Sequence, residues 1–253
     1  MNVDKPRDSA ISKRKIYEGV KKMFNKNKVL FALCIWIMMF SLFAVSSVNA
    51  VEKKHIIMID AGHGGKDSGI PLNDQMAEKD VTLAVALSIK KELSREKNIE
   101  VVFTRDADKK IDLEDRQDII KKIKPDFLIS LHVNAGFGKS ASGFEIYYPT
   151  FTENTDDDKK TGKDDQSKLQ NKFQNDSLKM AKLVQEGLNA LFPRKGRGLR
   201  KADLPLTDGV SVPALSLEMG FASNPDDQKK LLSSRTQEDI AKTIAKSIKT
   251  YFR

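Results

Sequence analysis

Short apolar runs that alternate with helical patterns most strongly constrain the fold of this 253-residue chain. Five runs have the length and the β-branched content of buried strands: His55–Asp60, Glu100–Thr104, Phe127–His132, Gly143–Tyr148 and Ala214–Met219. Amphipathic helices are predicted at Glu78–Glu96, Leu113–Ile123, Ser177–Leu191, Pro225–Leu232 and Thr236–Phe252. This alternation predicts an α/β fold in which one sheet carries helices on both faces within a single domain.

One stretch, Phe151–Asp176, interrupts the alternation because it is polar and dense in charges of both signs. It has too few apolar residues to offset the entropy of ordering it, so we predict a mobile surface insertion over residues 151–176. Two roles remain open for this insertion: a tolerated surface loop, or a lid that gates a binding site.

The N-terminal segment has the pattern of an export signal. Residues 1–28 contain nine Lys or Arg and three Asp or Glu, and the uncharged stretch Val29–Ala50 follows, ending in small residues. This pattern is typical of a signal peptide cleaved after Ala50, and the alternative is an uncleaved membrane anchor. Both alternatives place residues 51–253 outside the cytoplasmic membrane. The expected location is the periplasm, the cell wall or the outer face of that membrane.

The charge distribution disfavours a nucleic-acid partner. The formal net charge is +9, but residues 1–28 contribute +6 of it, and the remaining 35 basic and 32 acidic residues contribute +3. Membrane contact is therefore expected only through the N-terminal segment. The single cysteine, Cys34, lies in the uncharged stretch. A metal bound by residues 51–253 would need His, Asp or Glu ligands.

Three polar residues follow or end predicted strands, where α/β sheets build their sites. His63 lies in a glycine-rich turn after the first strand, His132 ends the third run, and Glu218 lies inside the last. Each has a structural alternative: a histidine at a strand end can simply be hydrogen-bonded, and Glu218 could pair with Arg105 or Arg116.

Two imidazoles and one carboxylate make a catalytic zinc set that leaves a position for water. Glu78 is the best candidate for the carboxylate because it opens a helix after the loop that follows His63. Asp67, Asp74 and Asp80 are its rivals, and a glutamate at a helix start also serves the helix dipole.

Six motifs together resemble the zinc-dependent N-acetylmuramoyl-L-alanine amidases of the type-3 amidase family. They occur in order from about residue 55 to the C-terminal region: Ile59–Gly69, Glu78–Leu83, Thr104–Arg105, Leu113–Arg116, Ser130–Asn134 and Leu217–Asn224. The chain departs from the usual pattern at Ala61, where a proline is frequent, and at the charged pair Lys121–Lys122. Neither departure affects a candidate site residue.

The resemblance implies that His63, Glu78 and His132 bind Zn²⁺ and that Glu218 is catalytic. It implies a twisted, mostly parallel sheet and hydrolysis of the amide between N-acetylmuramic acid and L-alanine in bacterial peptidoglycan. Zinc would activate the water and a glutamate would act as the base. Peptidoglycan is the expected substrate, and a protein activator is a further expected partner class, since some relatives carry a helix over the site.

Asn134 and Arg105 are predicted to support the site from behind the ligands. Two other functions compete with the amidase interpretation. A zinc carboxypeptidase-like enzyme would use a similar ligand set, but no motif marks the cationic clamp that it needs. A wall-binding protein without catalysis would have lost a ligand or the glutamate, and all four residues are present.

Overall fold

The structure is a computed structural model. It describes residues 54–150, 163–193, 195–207 and 210–253 and scattered positions between 14 and 36. The chain divides into two compact units, Met1–Glu52 and Lys53–Arg253. The described positions of the first unit are helical. None of the helices formed by described residues combines the length and apolar character needed to cross a membrane. Residues 151–162 and most of the predicted signal segment lie outside the described residues.

The second unit is a layered α/β domain, as predicted, and its six-stranded sheet is mixed. Its strands are β1 (His55–Ala61), β2 (Ile99–Phe103), β3 (Phe127–Asn134), β4 (Phe144–Pro149), β5 (Gly196–Ala202) and β6 (Ala214–Phe221). Its helices are α1 (Glu78–Leu93), α2 (Leu113–Ile123), α3 (Lys163–Leu191), α4 (Pro225–Leu231) and α5 (Ser234–Tyr251), with a short 3₁₀ helix at Pro205–Thr207.

The strand order is β2-β1-β3-β6-β4-β5. The four strands β2, β1, β3 and β6 are parallel, whereas β4 pairs antiparallel with β6, and β5 runs parallel to β4. The carboxyl ends of β1, β3 and β6 therefore meet at one edge of the sheet. The prediction of a mostly parallel sheet is confirmed. Only β4 and β5, next to each other at one side of the sheet, run in the opposite direction.

Each face of the sheet has its own apolar core because side chains alternate along a strand. Ile57 and Ile59 of β1 belong to the larger core, which α1, α3 and α5 cover. Met58 of β1 and Leu128 of β3 face the other way and pack with Ile120 of α2. Helices therefore lie on both faces, as the sequence predicted.

The face beneath α2 changes from apolar to polar along the strands. After Met58, Leu128 and Ala214, the same face presents a set of polar side chains: Asp60, Ser130, His132, Ser216 and Glu218. Several of them line a cleft of about 540 Å³ at this end of the sheet. Parallel pairing thus brings the polar strand ends together at one site.

Two sequence predictions need correction. The helix expected from Ser177 begins at Lys163, so the second half of the predicted insertion 151–176 is helical rather than a mobile loop. In the part of this helix whose side chains are described, Lys172 is exposed and pairs with Asp176 at 2.8 Å, one turn further on. Strand β5 was not predicted because Gly196–Ala202 is a polar, largely exposed edge strand without an apolar run.

Candidate metal and catalytic site

The turn after β1 places His63 in a left-handed backbone conformation. His63 has φ 62°, and Gly64 and Gly65 also have positive φ. A histidine in this region carries strain that the surroundings must offset. Two buried arginines do so: Arg116 Nη2 donates to the His63 carbonyl at 2.7 Å, and Arg105 donates to the carbonyls of Ala61 and Gly62.

Buried Asp60 connects this turn to the sheet. Its carboxylate accepts hydrogen bonds from Thr104 at 2.6 Å and Ser130 at 2.7 Å and pairs with Arg116. Burial pushes the pKa of Asp60 up, but the Arg116 charge and the two hydroxyl donors hold it below its usual range. Asp60 is therefore an ionised anchor for the strand end that carries the His63 turn.

The three predicted ligands converge on one point. His63 Nε2 lies 3.1 Å from Glu78 Oε2, and His132 Nδ1 lies 3.0 Å from Glu78 Oε1. One ligand atom from each residue lies within 4.8 Å of the others. Glu78 is only 2% exposed, and its two oxygens accept the amides of Ile70 and Val133 at 3.1 and 2.9 Å.

The electrostatics of the cluster favour an ionised carboxylate between two imidazoles. Burial raises the pKa of Glu78, but hydrogen bonds from His132 and His63 outweigh it and lower the pKa to about 2. The hydrogen bond to Glu78 is the largest influence on His63 and raises its pKa to about 9. Such a carboxylate draws positive charge to this point, whether protons or a cation.

The rivals of Glu78 lie elsewhere. Asp67 Oδ1 contacts the other ring nitrogen of His63, Nδ1, at 2.9 Å, so it orients the imidazole from behind. Asp80 accepts the amide of Ala77 at the start of α1 at 2.9 Å, and Asp74 is exposed. Among the four carboxylates, Glu78 is the one in the convergent set.

The donor set fits a zinc ion by its chemistry and by the space around it. Two imidazole nitrogens and a carboxylate are zinc ligands, and both histidines are partly exposed to the cleft. Two glycines leave room for these side chains. A Cβ added at Gly69 would lie 2.6 Å from Glu78 Oε2, and one at Gly62 would lie 2.5 Å from His132 Cε1.

Glu218 stands beside this set without belonging to it. It pairs in register with His132 across β3 and β6, and within the described residues its buried Oε2 has no hydrogen-bond partner. Burial raises its pKa to about 7, with a smaller contribution from the Glu78 charge. The structural alternative, pairing with Arg105 or Arg116, is absent from the described part of the chain: both guanidiniums bind the turn after β1.

Within the described residues, neither Asn134 nor Arg105 forms a hydrogen bond or ion pair with the three ligand side chains. Asn134 Nδ2 donates to Glu145 Oε2 at 2.9 Å, and Arg105 holds main-chain carbonyls. Sequence reasoning missed Asp60 and Glu145, and it considered Arg116 only as a partner for Glu218. The sequence could have indicated both acidic residues, because each interrupts an apolar strand. Asp60 ends one such strand, and Glu145 stands between the apolar residues Phe144 and Ile146 of another.

The fold and this site define a class: a single α/β domain with a His-Glu-His candidate metal centre and a neighbouring half-buried glutamate. The family model for N-acetylmuramoyl-L-alanine amidase matches residues 57–250. The chain belongs to this family of cell-wall hydrolases, and the predicted amidase function is confirmed.

Individual relatives agree with this membership. CwlM, an N-acetylmuramoyl-L-alanine amidase of Bacillus licheniformis, is 30% identical, with 78% of this chain and 68% of CwlM covered. AmiC of Escherichia coli is 27% identical over 79% of this chain, which spans 54% of AmiC. The CwlD amidase of Clostridioides difficile, solved in complex with the GerS lipoprotein, is 25% identical with a TM-score of 0.64, over 79% of this chain and 98% of CwlD.

Proposed function

We propose that this chain is a zinc-dependent amidase in which His63, Glu78 and His132 hold the metal and Glu218 is the general base. The observation that carries the proposal is that a convergent three-ligand set lies beside Glu218 of the adjacent strand, a glutamate whose buried Oε2 has no hydrogen-bond partner within the described residues. A zinc ion bound by these ligands would act as a Lewis acid on the scissile carbonyl and acidify the attacking water.

The protein supplies the proton transfers. Glu218 accepts a proton from the attacking water and delivers it to the nitrogen of the leaving L-alanine, so that no net proton stays on the enzyme. A carboxyl group with a pKa near 7 suits both steps, because it gives up its proton as readily as it takes one. Within the described residues no protein donor stabilises a negative charge on Oε2, which keeps the carboxylate basic enough to accept a proton.

The surrounding residues orient these groups. Asp67 fixes the ring of His63, and the amides of Ile70 and Val133 fix both oxygens of Glu78. Arg116 and Arg105 hold the turn that carries His63. We assign them positioning roles only, since none of them reaches the point where the ligand atoms converge.

The cleft supplies a binding surface for peptidoglycan. It extends from His132 and Glu218 past Leu113 of α2 to Leu204 and the 3₁₀ helix that follows it. This mixed polar and apolar groove suits an extended glycopeptide better than a free amino acid. It therefore supports the amidase over the carboxypeptidase-like alternative.

Export and a protein activator are further parts of the proposal. The basic, uncharged and small-residue segments of 1–50 support secretion or membrane anchoring, with 51–253 as the catalytic domain. Two relatives bear names that refer to the cell wall: the N-acetylmuramoyl-L-alanine amidase AmiC and the probable cell wall amidase LytH of Staphylococcus epidermidis. Because the cell wall lies outside the cytoplasmic membrane, these names also support export. The complex of CwlD with GerS supports a protein partner for this domain.

Digestion of purified peptidoglycan by the full-length chain tests the reaction. Mass spectrometry of the soluble products should find stem peptides with a free N-terminal L-alanine, and intact glycan strands should remain. Release of C-terminal amino acids from otherwise intact stems would instead support a peptidase. The His132→Ala variant is the control for contaminating hydrolases.

A further inference from the structure

A second polar cluster lies next to Glu218 on the two outer strands. Glu145 of β4 stands opposite Glu218 in the antiparallel register. Its side chain is 5% exposed, and its Oε1 lies 2.6 Å from Arg197 Nε and 3.4 Å from Arg200 Nη2. Its Oε2 accepts the hydroxyl of Tyr147 at 2.8 Å. One buried carboxylate therefore meets two arginines of β5.

A β-bulge puts both arginines on the same face. Residues three apart on a regular strand point to opposite faces. In β5, however, Gly196 pairs with Phe144 and Leu199 pairs with Ile146, so β5 has one extra residue between these pairs. Gly198, with φ 94°, lies in this bulge. The extra residue aims Arg197 and Arg200 at the same carboxylate.

The cluster keeps a net positive charge. Burial raises the pKa of Glu145, but hydrogen bonds from Arg197 and Tyr147 outweigh it and lower the pKa, so the carboxylate is ionised. One carboxylate offsets one guanidinium, and the second arginine is not needed to neutralise Glu145. A charge of +1 therefore remains beside the catalytic glutamate.

The arginines can reach a ligand. Their side chains are 39% and 50% exposed for Arg197 and Arg200, respectively. Within the described residues, Arg197 uses only its Nε atom as a hydrogen-bond donor, which leaves both Nη groups free. Its guanidinium also stacks 5.2 Å from the ring centre of Phe221, which restrains its orientation. A restrained guanidinium fork suits a carboxylate, which it can bind through two parallel hydrogen bonds.

The distance to the reaction centre indicates which carboxylate fits. Neighbouring strands lie about 4.8 Å apart, so the backbone of β5 stands roughly 10 Å from that of β6, and the two arginine side chains shorten this gap by reaching Glu145 on β4. An extended peptide spans about 3.4 Å per residue. An anion at the arginines would therefore belong to the second or third residue after the scissile amide.

We propose that Arg197 and Arg200 form a subsite for a free carboxylate of the stem peptide, at the residue that follows L-alanine. This residue in peptidoglycan is a D-glutamate linked through its side chain, so its α-carboxylate is free unless it is amidated. The inference rests on the proposed function and adds a specificity to it: the enzyme prefers stems with the free carboxylate.

A matched pair of substrates tests this preference. Synthetic N-acetylmuramoyl tripeptides with D-glutamate or its α-amide, D-isoglutamine, at the second position differ in one charged group only. With the full-length zinc-loaded chain, we expect kcat/KM to be about tenfold higher for the carboxylate, mainly through KM. Arg200→Gln should reduce this ratio to about threefold, and the Arg197→Gln/Arg200→Gln double variant should bring it to about one.

Two controls separate binding from folding. Lys201→Gln removes a positive charge from the same strand and should keep the full ratio. Arg200 makes an ion pair without a hydrogen bond, so Arg200→Gln should keep the wild-type melting temperature. A wild-type ratio near one, or variants that slow both substrates equally, would overturn the subsite. Failure of the wild type to cleave either substrate would overturn the proposed function itself.

Discussion

His132 and Glu218 face each other in register on adjacent parallel strands, one in the candidate metal set and one outside it. Parallel pairing fixes this spacing, because in-register neighbours on one face stand about 5 Å apart. The arrangement keeps Glu218 close to the ligands without letting it replace one. In the proposed mechanism, metal binding and proton transfer therefore fall to two different residues, whose variants can be told apart.

Substituting Glu218 should abolish chemistry and spare the metal. Glu218→Gln keeps the side-chain shape but cannot take a proton, so we expect turnover to fall at least about a hundredfold with zinc content unchanged. Glu78→Gln should instead lose zinc, because an amide is a poorer ligand than a carboxylate. Metal analysis beside muropeptide hydrolysis checks both. Loss of zinc from Glu218→Gln would contradict the division of roles.

The intact protein should contain about one zinc ion per chain. Three protein ligands and an open position predict this stoichiometry, and a chelator should abolish activity until zinc is restored. His63→Ala or His132→Ala should lose the metal in elemental analysis by mass spectrometry. Full activity in a verified zinc-free preparation would refute the metal assignment.

Gly69 should be required for metal affinity. Gly69 has φ 63°, and a Cβ there would meet Glu78 Oε2 at 2.6 Å and His63 Cδ2 at 2.7 Å, so Gly69→Ala should displace two ligands. We expect zinc affinity to fall about 10- to 100-fold in a competition titration with a chelator. Gly138→Ala is the matched control, because Gly138 has φ 75° but open space around it. Unchanged zinc affinity in Gly69→Ala, or an equal loss in both variants, would contradict this prediction.

Asp60 should contribute to stability in a pH-dependent way. Asp60→Asn leaves buried Arg116 without its carboxylate and should cost roughly 3 kcal/mol in urea unfolding at pH 7. The pKa of Asp60 is lower in the folded than in the unfolded state, where it is about 3.9. The contribution is therefore present above about pH 4 and is lost as the pH falls through the folded pKa.

The difference between wild type and Asp60→Asn should accordingly shrink in acid. Asp74→Asn, at an exposed position, should leave stability unchanged at both pH values. A difference independent of pH would indicate that hydrogen-bond geometry, and not the charge of Asp60, makes the contribution.

The N-terminus of the native protein should distinguish the two export alternatives. Cleavage after Ala50 predicts a mature chain that begins at Val51. N-terminal sequencing of the exported protein reads this directly. Recovery of the intact basic segment in a membrane fraction would support the anchor.

Much of the fold was predictable because buried strands carry an apolar pattern. Helix α2 was predicted at its observed bounds, and the five apolar strands were found within a residue or two. Strand β5 was not predicted, because an edge strand pairs on one side only and tolerates a polar sequence such as Gly-Arg-Gly-Leu-Arg. The start of α3 was also missed, because its first turns carry charges instead of an apolar stripe.

The candidate site was predictable where polar residues follow strands directly. His63, His132 and Glu218 stand out against apolar neighbours, and the family resemblance selected Glu78 among the carboxylates. Contacts that depend on how the strands pair in the folded sheet could not be predicted from the sequence. Glu145 faces Glu218 only because β4 enters the sheet antiparallel, and no local pattern predicts that direction.

The change from apolar to polar side chains along one sheet face also protects against misfolding. A one-residue slip of β6 against β3 would turn Glu218 into the larger core and Leu217 out into the cleft. Burying an unpaired glutamate beneath the helices costs several kcal/mol, so slipped molecules are disfavoured. Glu218, which we assign to catalysis, thus also disfavours a shifted strand register during folding.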